Sequence, residues 1–368
     1  MDLSSFKDIP VVDAHVHFWD LKAEVEMMKI KDACRFTGIN LLSIYDRAKV
    51  NQNPECIYMK ARHPGSFYAF GGLDYSAIFS GQRGAEPSLC KQVDAMIDIG
   101  LDGVKMVEGK PTERKVIPIA FNDDFYRDYF AHLESLGFPL LFHVNDPAEF
   151  WDQLKTPSWA KEQGWFYDAT YPTKEQLYSE VENVLDRCPD LKVIFAHFYF
   201  VSADLERASD FLDRHKRVCL DLTPGIEMYY DFSAKSDEWR RFFIRYQDRI
   251  VYGTDIGGGQ SIAEATSRAW IVRKFLETDD EFTTPKESDN LLGGPEIPFR
   301  GLDLPNAALE KVYSGNFERL AGARPRGLDL AKALAECRRI SEIAARNGVR
   351  PEDNGAAQVA SILTTSRK

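Results

Sequence analysis

The sequence predicts an α/β chain closed into a (β/α)8 TIM barrel with a C-terminal helical extension. Short apolar runs rich in Val, Ile, Leu and Phe recur eight times, and segments with helical spacing lie between most of them. Near-continuous apolar strands imply a parallel sheet covered on both faces, and eight such units favour a closed barrel over an open doubly wound sheet. No GxGxxG follows the first run, which argues against a dinucleotide-binding domain. The 368 residues fit one barrel, a fold that fills roughly 250 to 400.

The first strand is VVDAHVH (11–17), followed by NLLSIYD (40–46), FYAFGGLD (67–74) and GVKMV (103–107). PLLFHVND (139–146), KVIFAH (192–197), VCLDLT (218–223) and IVYGTD (250–255) complete the set. LCKQVDAMIDIG ends in Gly100 and DFYRDYFAHLESLG in Gly137, each a glycine placed to end a helix just before the next strand. KEQLYSEVENVLDRCPD is stopped by Pro189. The Pro- and Gly-rich stretch 282–306 reads as an elaborated loop and not a domain boundary. From Leu328, LDLAKALAECRRISEIAARNG reads as a last helix ending at Gly348, with ASILTTSRK a frayed tail. The expected division is a catalytic barrel over 1–325 and a helical extension over 326–368.

Hydrophobic residues make up 44% of the chain and charged residues 28%, a balance that supports a substantial core. A net charge of -11 opposes non-specific binding to nucleic acid or to an anionic membrane. The N-terminus MDLSSFKDIP lacks the basic-then-apolar order of a signal peptide. The longest apolar run, VIFAHFYFV, falls far short of the roughly 20 residues of a membrane-spanning helix. Six cysteines (Cys34, Cys56, Cys90, Cys188, Cys219, Cys337) are scattered without CxxC spacing. That usage fits reduced thiols in a cytoplasmic protein better than a disulfide frame or a cysteine zinc site.

Polar residues gather at the C-terminal ends of the strands: His15 and His17 on the first, His143 on the fifth, His197 on the sixth and Asp255 on the eighth. His15 and His17, two apart on a strand, share one side. A parallel barrel brings all these ends to one face, where active sites are built. Neutral imidazole and carboxylate are the usual ligands of a catalytic divalent metal, which keeps one position open for water. Zinc lowers the pKa of that water to about 7, and a neighbouring His or Asp can accept and return the proton. Singly, each residue has a plainer reading: a strand-end polar residue, a core histidine on a backbone carbonyl, or a helix cap at Asp255. Their joint occurrence on four strands is what favours a metal site.

Together, VVDAHVHFWD, VIFAH, IVYGTDIGG and YSGNFERLAG (313–322) resemble the amidohydrolase superfamily, most of all its amidohydrolase-related branch, over residues 11 to 322. That branch includes aminocarboxymuconate-semialdehyde decarboxylase and other nonoxidative decarboxylases alongside hydrolases. The resemblance implies His15, His17, His143 and Asp255 as ligands of one divalent metal, with zinc expected. It implies His197 as the acid–base group that orients the bound water, a task Asp255 shares. Two departures stand out. Decarboxylases of the branch usually carry glycines after the strand-six histidine, whereas HFYFVSADLERA has none, and DIGGG stands where a proline often follows the strand-eight aspartate. In binuclear members a lysine at the end of strand four is carboxylated and bridges two metals. Here a single metal is expected, with Lys105 either holding a substrate anion or engaged in a salt bridge.

The segment after strand five is long and aromatic, with Trp151, Trp159, Trp165, Phe166, Tyr167 and Tyr171. Such side chains suit a pocket wall or lid and equally a subunit contact in a homo-oligomer, and both readings stand. Glu108, Lys110 and Arg114 after strand four, and Glu227, Tyr229 and Tyr230 after strand seven, share that rim. Lys105, Trp165 and Tyr229 are the expected substrate contacts. The leading expectation is an enzyme acting on a small molecule: a hydrolase whose metal-bound hydroxide attacks an amide, lactone or ester carbonyl. The alternative is a nonoxidative decarboxylase of an aromatic or unsaturated carboxylic acid at the same site. A non-catalytic barrel with a structural metal is disfavoured by His197, a base such a site would not need.

Overall fold

The computed structural model describes residues 1–81, 88–225, 227–288 and 298–365. Its main sheet has eight parallel strands in sequence order. They are β1 (Val11–His17), β2 (Phe36–Leu42), β3 (Phe67–Gly72), β4 (Gly103–Gly109), β5 (Leu140–Val144), β6 (Val193–Phe195), β7 (Val218–Asp221) and β8 (Ile250–Val251). The segment at and after β8 returns to β1 through Ala14 N to Tyr252 O (3.1 Å), Asp255 N to His15 O (2.9 Å) and His17 N to Ile256 O (2.8 Å). The barrel is thereby closed at the end that carries the histidines.

Helices of ten residues or more surround it: α1 (Glu24–Ala33), α2 (Asn53–Arg62), α3 (Leu89–Ile99), α4 (Asp124–Leu136) and α5 (Lys174–Arg187). They continue with α6 (Leu205–Arg214), α7 (Ser236–Arg245), α8 (Ile262–Glu277), α9 (Leu330–Arg346) and α10 (Gly355–Thr365). Local chemistry sets their ends as the sequence predicts. Ser88 caps α3 by accepting from Lys91 N, and Gly100 ends it at φ 97°, a left-handed position that suits glycine. Thr173 and Gln176 form a reciprocal capping box on α5, which stops one residue before Cys188 and Pro189. With helices outside and side chains inside, the strands are buried on both faces. Val12, Ala14, Phe70, Leu141, Ile194 and Val251 are among those that fill the interior, and Phe317 and Leu320 plug its N-terminal end.

Several boundaries differ from the sequence reading. β2 starts at Phe36, before the expected Asn40. β6 and β8 are short, so His197 and Asp255 lie just beyond their strands. Both residues adopt left-handed backbone, His197 at φ 53° and Asp255 at φ 57°, a conformation that strands do not contain. Within the loop 282–306, Phe282 and Phe299 pair in an antiparallel ribbon, while residues 289–297 lie outside the described residues. The tail expected to fray forms α10 as far as Thr365 and buries Val359, Ala360 and Leu363. The extension is docked on the barrel, where Asp329 N donates to Ile99 O (2.9 Å) and Arg339 pairs with the buried Asp74 (2.6 Å). The six cysteines are all free, and among the described residues no helix is long and apolar enough to cross a membrane.

Candidate metal centre

His15 and His17 end β1 and face the same cavity at the C-terminal end of the barrel. Each imidazole has its Nδ1 engaged: that of His15 on Asp221 Oδ2 (2.8 Å) and that of His17 on Leu42 O (3.2 Å). Donation from Nδ1–H leaves both Nε2 atoms as lone-pair donors. They converge on Asp255 Oδ1, at 3.4 Å from His15 and 3.5 Å from His17. The candidate ligand atoms of His15, His17 and Asp255 all lie within 4.8 Å of one another. Burial pushes the His15 imidazole well down and that of His17 to about 4, so both are neutral as metal ligands need to be. Burial works against the charge of Asp255, yet its surroundings, with the Arg268 guanidinium 3.7 Å away, hold the carboxyl below its usual range. Two neutral nitrogens and one carboxylate oxygen in a buried cluster fit a divalent cation.

His143 on β5 stands beside this triplet and is not part of it. Its Nε2 meets Asn145 O (2.9 Å) and Asp146 Oδ1 (3.3 Å), which leaves Nδ1 as the ring nitrogen not engaged by these two groups. The His197 ring lies between the two groups, its centroid 4.8 Å from that of His143 and 5.5 Å from that of His15. Burial pushes the His197 imidazole down to about 4, and its buried Nδ1 has no hydrogen-bond partner among the described residues. His197, Phe198, Tyr199 and Phe200 run at φ 53°, 53°, 56° and 52°. Four consecutive left-handed non-glycine residues carry strain of about 1 kcal/mol each. The sequence has no glycine where the backbone adopts the conformation that favours one.

The cavity has a volume of about 510 Å³ and an aromatic mouth of Trp19, Phe150, Trp165 and Phe200. Lys105, at 2% exposure, also faces it, and burial lowers its amine to about 8 against the opposing pull of Asp221, Asp255 and Glu108. Of the aromatic segment after β5, Phe150 and Trp165 reach the cavity, whereas Trp151, Trp159, Tyr167 and Tyr171 pack with them in a satellite cluster. Lys110 sits 4.1 Å from the Trp165 ring centroid and pairs with Asp146 (2.7 Å), fastening this segment to β4. Tyr229 is not brought to the cavity. It lies in the core at 2% exposure, its hydroxyl donating to Leu222 O (2.9 Å) and its ring against Phe275, because the helical turn Met228–Ala234 rotates it inward. Arg114 is likewise drawn away, to Glu180 (3.1 Å).

The family model described as Amidohydrolase matches residues 85–322. The chain belongs to the amidohydrolase family. Its place is in the amidohydrolase-related branch of that superfamily. Among solved structures it is similar to an uncharacterised TIM-barrel protein from Bordetella bronchiseptica (13% identical, 88% of this chain and 99% of that one, TM-score 0.52). It is also similar to 5-carboxyvanillate decarboxylase from Sphingomonas paucimobilis (12% identical, 85% and 99%, TM-score 0.51). A third is 2,6-dihydroxybenzoate decarboxylase from Rhizobium (13% identical, 85% and 98%, TM-score 0.50). At these identities the likeness is one of fold. No curated protein matches the sequence.

This member of the family also has residues around the cavity that the sequence reading missed. Asp221 ends β7, fully buried, and accepts from His15 on one oxygen and from His197 N (2.8 Å) and Thr223 N (3.1 Å) on the other. Asp13 accepts from His15 N (3.1 Å) and Thr254 N (3.2 Å) and latches β1 to the segment after β8. Arg268 on α8 donates to the carbonyls of Thr254 (3.0 Å) and Asp255 (2.6 Å) and so fixes the left-handed backbone at Asp255. The clue to Asp221 was present: an acidic residue closing an apolar strand, the pattern already used for Asp255.

Proposed function

We propose that this chain is a zinc-dependent hydrolase of a small molecule, acting on an amide, lactone or ester carbonyl. The observation that carries the reading is the convergence of the two Nε2 atoms and Asp255 Oδ1 at the base of an apolar-walled cavity, beside an imidazole with a free buried nitrogen. His15, His17 and Asp255 would hold the cation, with Nδ1 of His143 as the fourth protein donor. A divalent cation supplies Lewis acidity and lowers the pKa of coordinated water. His197 is the acid–base group: its ring is wedged between His15 and His143, and its buried Nδ1 is unpaired among the described residues. Asp255 assists as a second acceptor. The aromatic mouth excludes water and orients an apolar substrate, and Lys105 offers a buried ammonium to a substrate anion.

That ammonium in an apolar cavity also supports the second reading, nonoxidative decarboxylation of an aromatic or unsaturated acid. Two structures with this fold are decarboxylases of aromatic acids, and the absence of glycines after His197 weighs the other way. The test is a panel of dihydrocoumarin, p-nitrophenyl acetate, benzamide and 2,6-dihydroxybenzoate with the zinc-loaded protein, scored for acid production and CO2 release. Acid without CO2 is expected. CO2 from the aromatic acid, with no turnover of the carbonyl substrates, overturns hydrolysis in favour of decarboxylation.

A further inference from the structure

The strained turn that carries His197 is braced from outside the barrel by one helix face. Tyr178, at the second turn of α5, donates its hydroxyl to the carbonyls of Tyr199 (2.9 Å) and Phe200 (3.1 Å). Lys174, the first residue of α5, donates its ammonium to the same Phe200 carbonyl (3.0 Å). The backbone carbonyl of Lys174 in turn accepts from the Asn145 side chain (3.2 Å), and the Asn145 carbonyl meets His143 Nε2 (2.9 Å). The start of α5 is thus tied to the loop that orients His143 and to the turn that presents His197. Phe200 transmits the second tie, since its ring stacks on that of His197 at 5.1 Å.

A left-handed run of Phe, Tyr and Phe has no intrinsic reason to persist, and such backbone is kept only where its surroundings over-determine it. Asp221 fixes the first residue of the run through the His197 amide, and nothing in that contact fixes its far end. The far end meets Tyr178 and Lys174. Neither belongs to the candidate ligand set, and neither lines the cavity. We propose that Tyr178 and Lys174 are positioning residues, which hold the 197–200 turn in its left-handed form and so set the place of the His197 imidazole. This rests on the reading of His197 as the acid–base group.

The test compares zinc-loaded parent, Tyr178→Phe, Lys174→Met, Lys174→Arg and His197→Asn proteins. Backbone hydrogen exchange is followed in peptides spanning 195–204, 174–187 and 205–214, with zinc content and turnover of p-nitrophenyl acetate measured in parallel. Tyr178→Phe and Lys174→Met should speed exchange over 197–200 about tenfold while sparing α5 and α6. Zinc content and KM should hold while kcat falls about 10- to 100-fold, the cost of a misplaced group. Lys174→Arg, which keeps a donor, should restore both exchange and kcat. Unchanged exchange over 197–200 overturns the proposal, and so does equal acceleration across α5 and α6. Exchange decides even if the ester is not turned over. Full turnover in His197→Asn beside a loosened turn in Tyr178→Phe would reject the acid–base reading and leave the positioning role standing.

Discussion

Asp221 Oδ2 lies 2.8 Å from His15 Nδ1, and its other oxygen accepts the His197 amide at 2.8 Å. One buried carboxylate therefore sets the tautomer of a candidate ligand and anchors the turn bearing the candidate acid–base group. Asp221→Asn keeps a single acceptor oxygen and turns an NH2 group either against His15 Nδ1–H or against the His197 and Thr223 amides. Zinc affinity should fall about 10- to 100-fold. Zinc retained after dialysis against a graded chelator series measures it, and retention equal to the parent would show that the contact does not tune His15.

His143 and His197 should separate by what their loss removes. His143→Ala should strip zinc, since it deletes the fourth donor proposed beside the triplet; full zinc content would take it off the ligand set. His197→Asn should keep about one equivalent of zinc per chain and lose on the order of 100- to 10,000-fold in turnover. Elemental analysis and the substrate panel read the two effects independently.

How far the site was legible in the sequence follows from which signals are local. His15, His17, His143, His197 and Asp255 could be placed around one cavity because apolar runs mark strands and a parallel barrel gathers strand ends on one face. The same logic covers Asp221, which closes the apolar run VCLD in the same way. The left-handed turn was invisible: Phe198, Tyr199 and Phe200 signal buried strand, and only tertiary ties to Tyr178, Lys174 and Asp221 make them otherwise. Tyr229 was misplaced because rim and core aromatics look alike until the turn after Glu227 is seen to rotate it inward. β2 begins four residues before the expected Asn40, and Gly38 pairs with Val12 of β1 within it.

Phe317 tests the closed end of the barrel. It is fully buried, with its ring 5.0 Å from Tyr68 and 5.9 Å from Phe70, beneath the interior side chains. Phe317→Ala should cost about 3 to 5 kcal/mol of unfolding free energy. Denaturant titration should show a lower midpoint, and zinc binding at the opposite end should be retained in the folded fraction. A loss under 1 kcal/mol, well below the usual range for a buried phenylalanine, would mean the floor is not packed as described.

Glu55 on α2 makes stability depend on pH away from the metal centre. At 7% exposure, burial pushes its carboxyl from the ordinary 4.5 up to about 7. Below pH 4.5 the group is protonated in both folded and unfolded chains and costs nothing. Between 4.5 and 7 the unfolded chain releases the proton while the folded chain keeps it, so stability falls as pH rises, by about 3 kcal/mol in total. Above 7 both are ionised and the full loss remains. Glu55→Gln removes this slope. The variant should match the parent near pH 4.5 and exceed its melting temperature at pH 8, and an offset that is equal at the two pH values would show that Glu55 ionises as freely in the fold as outside it.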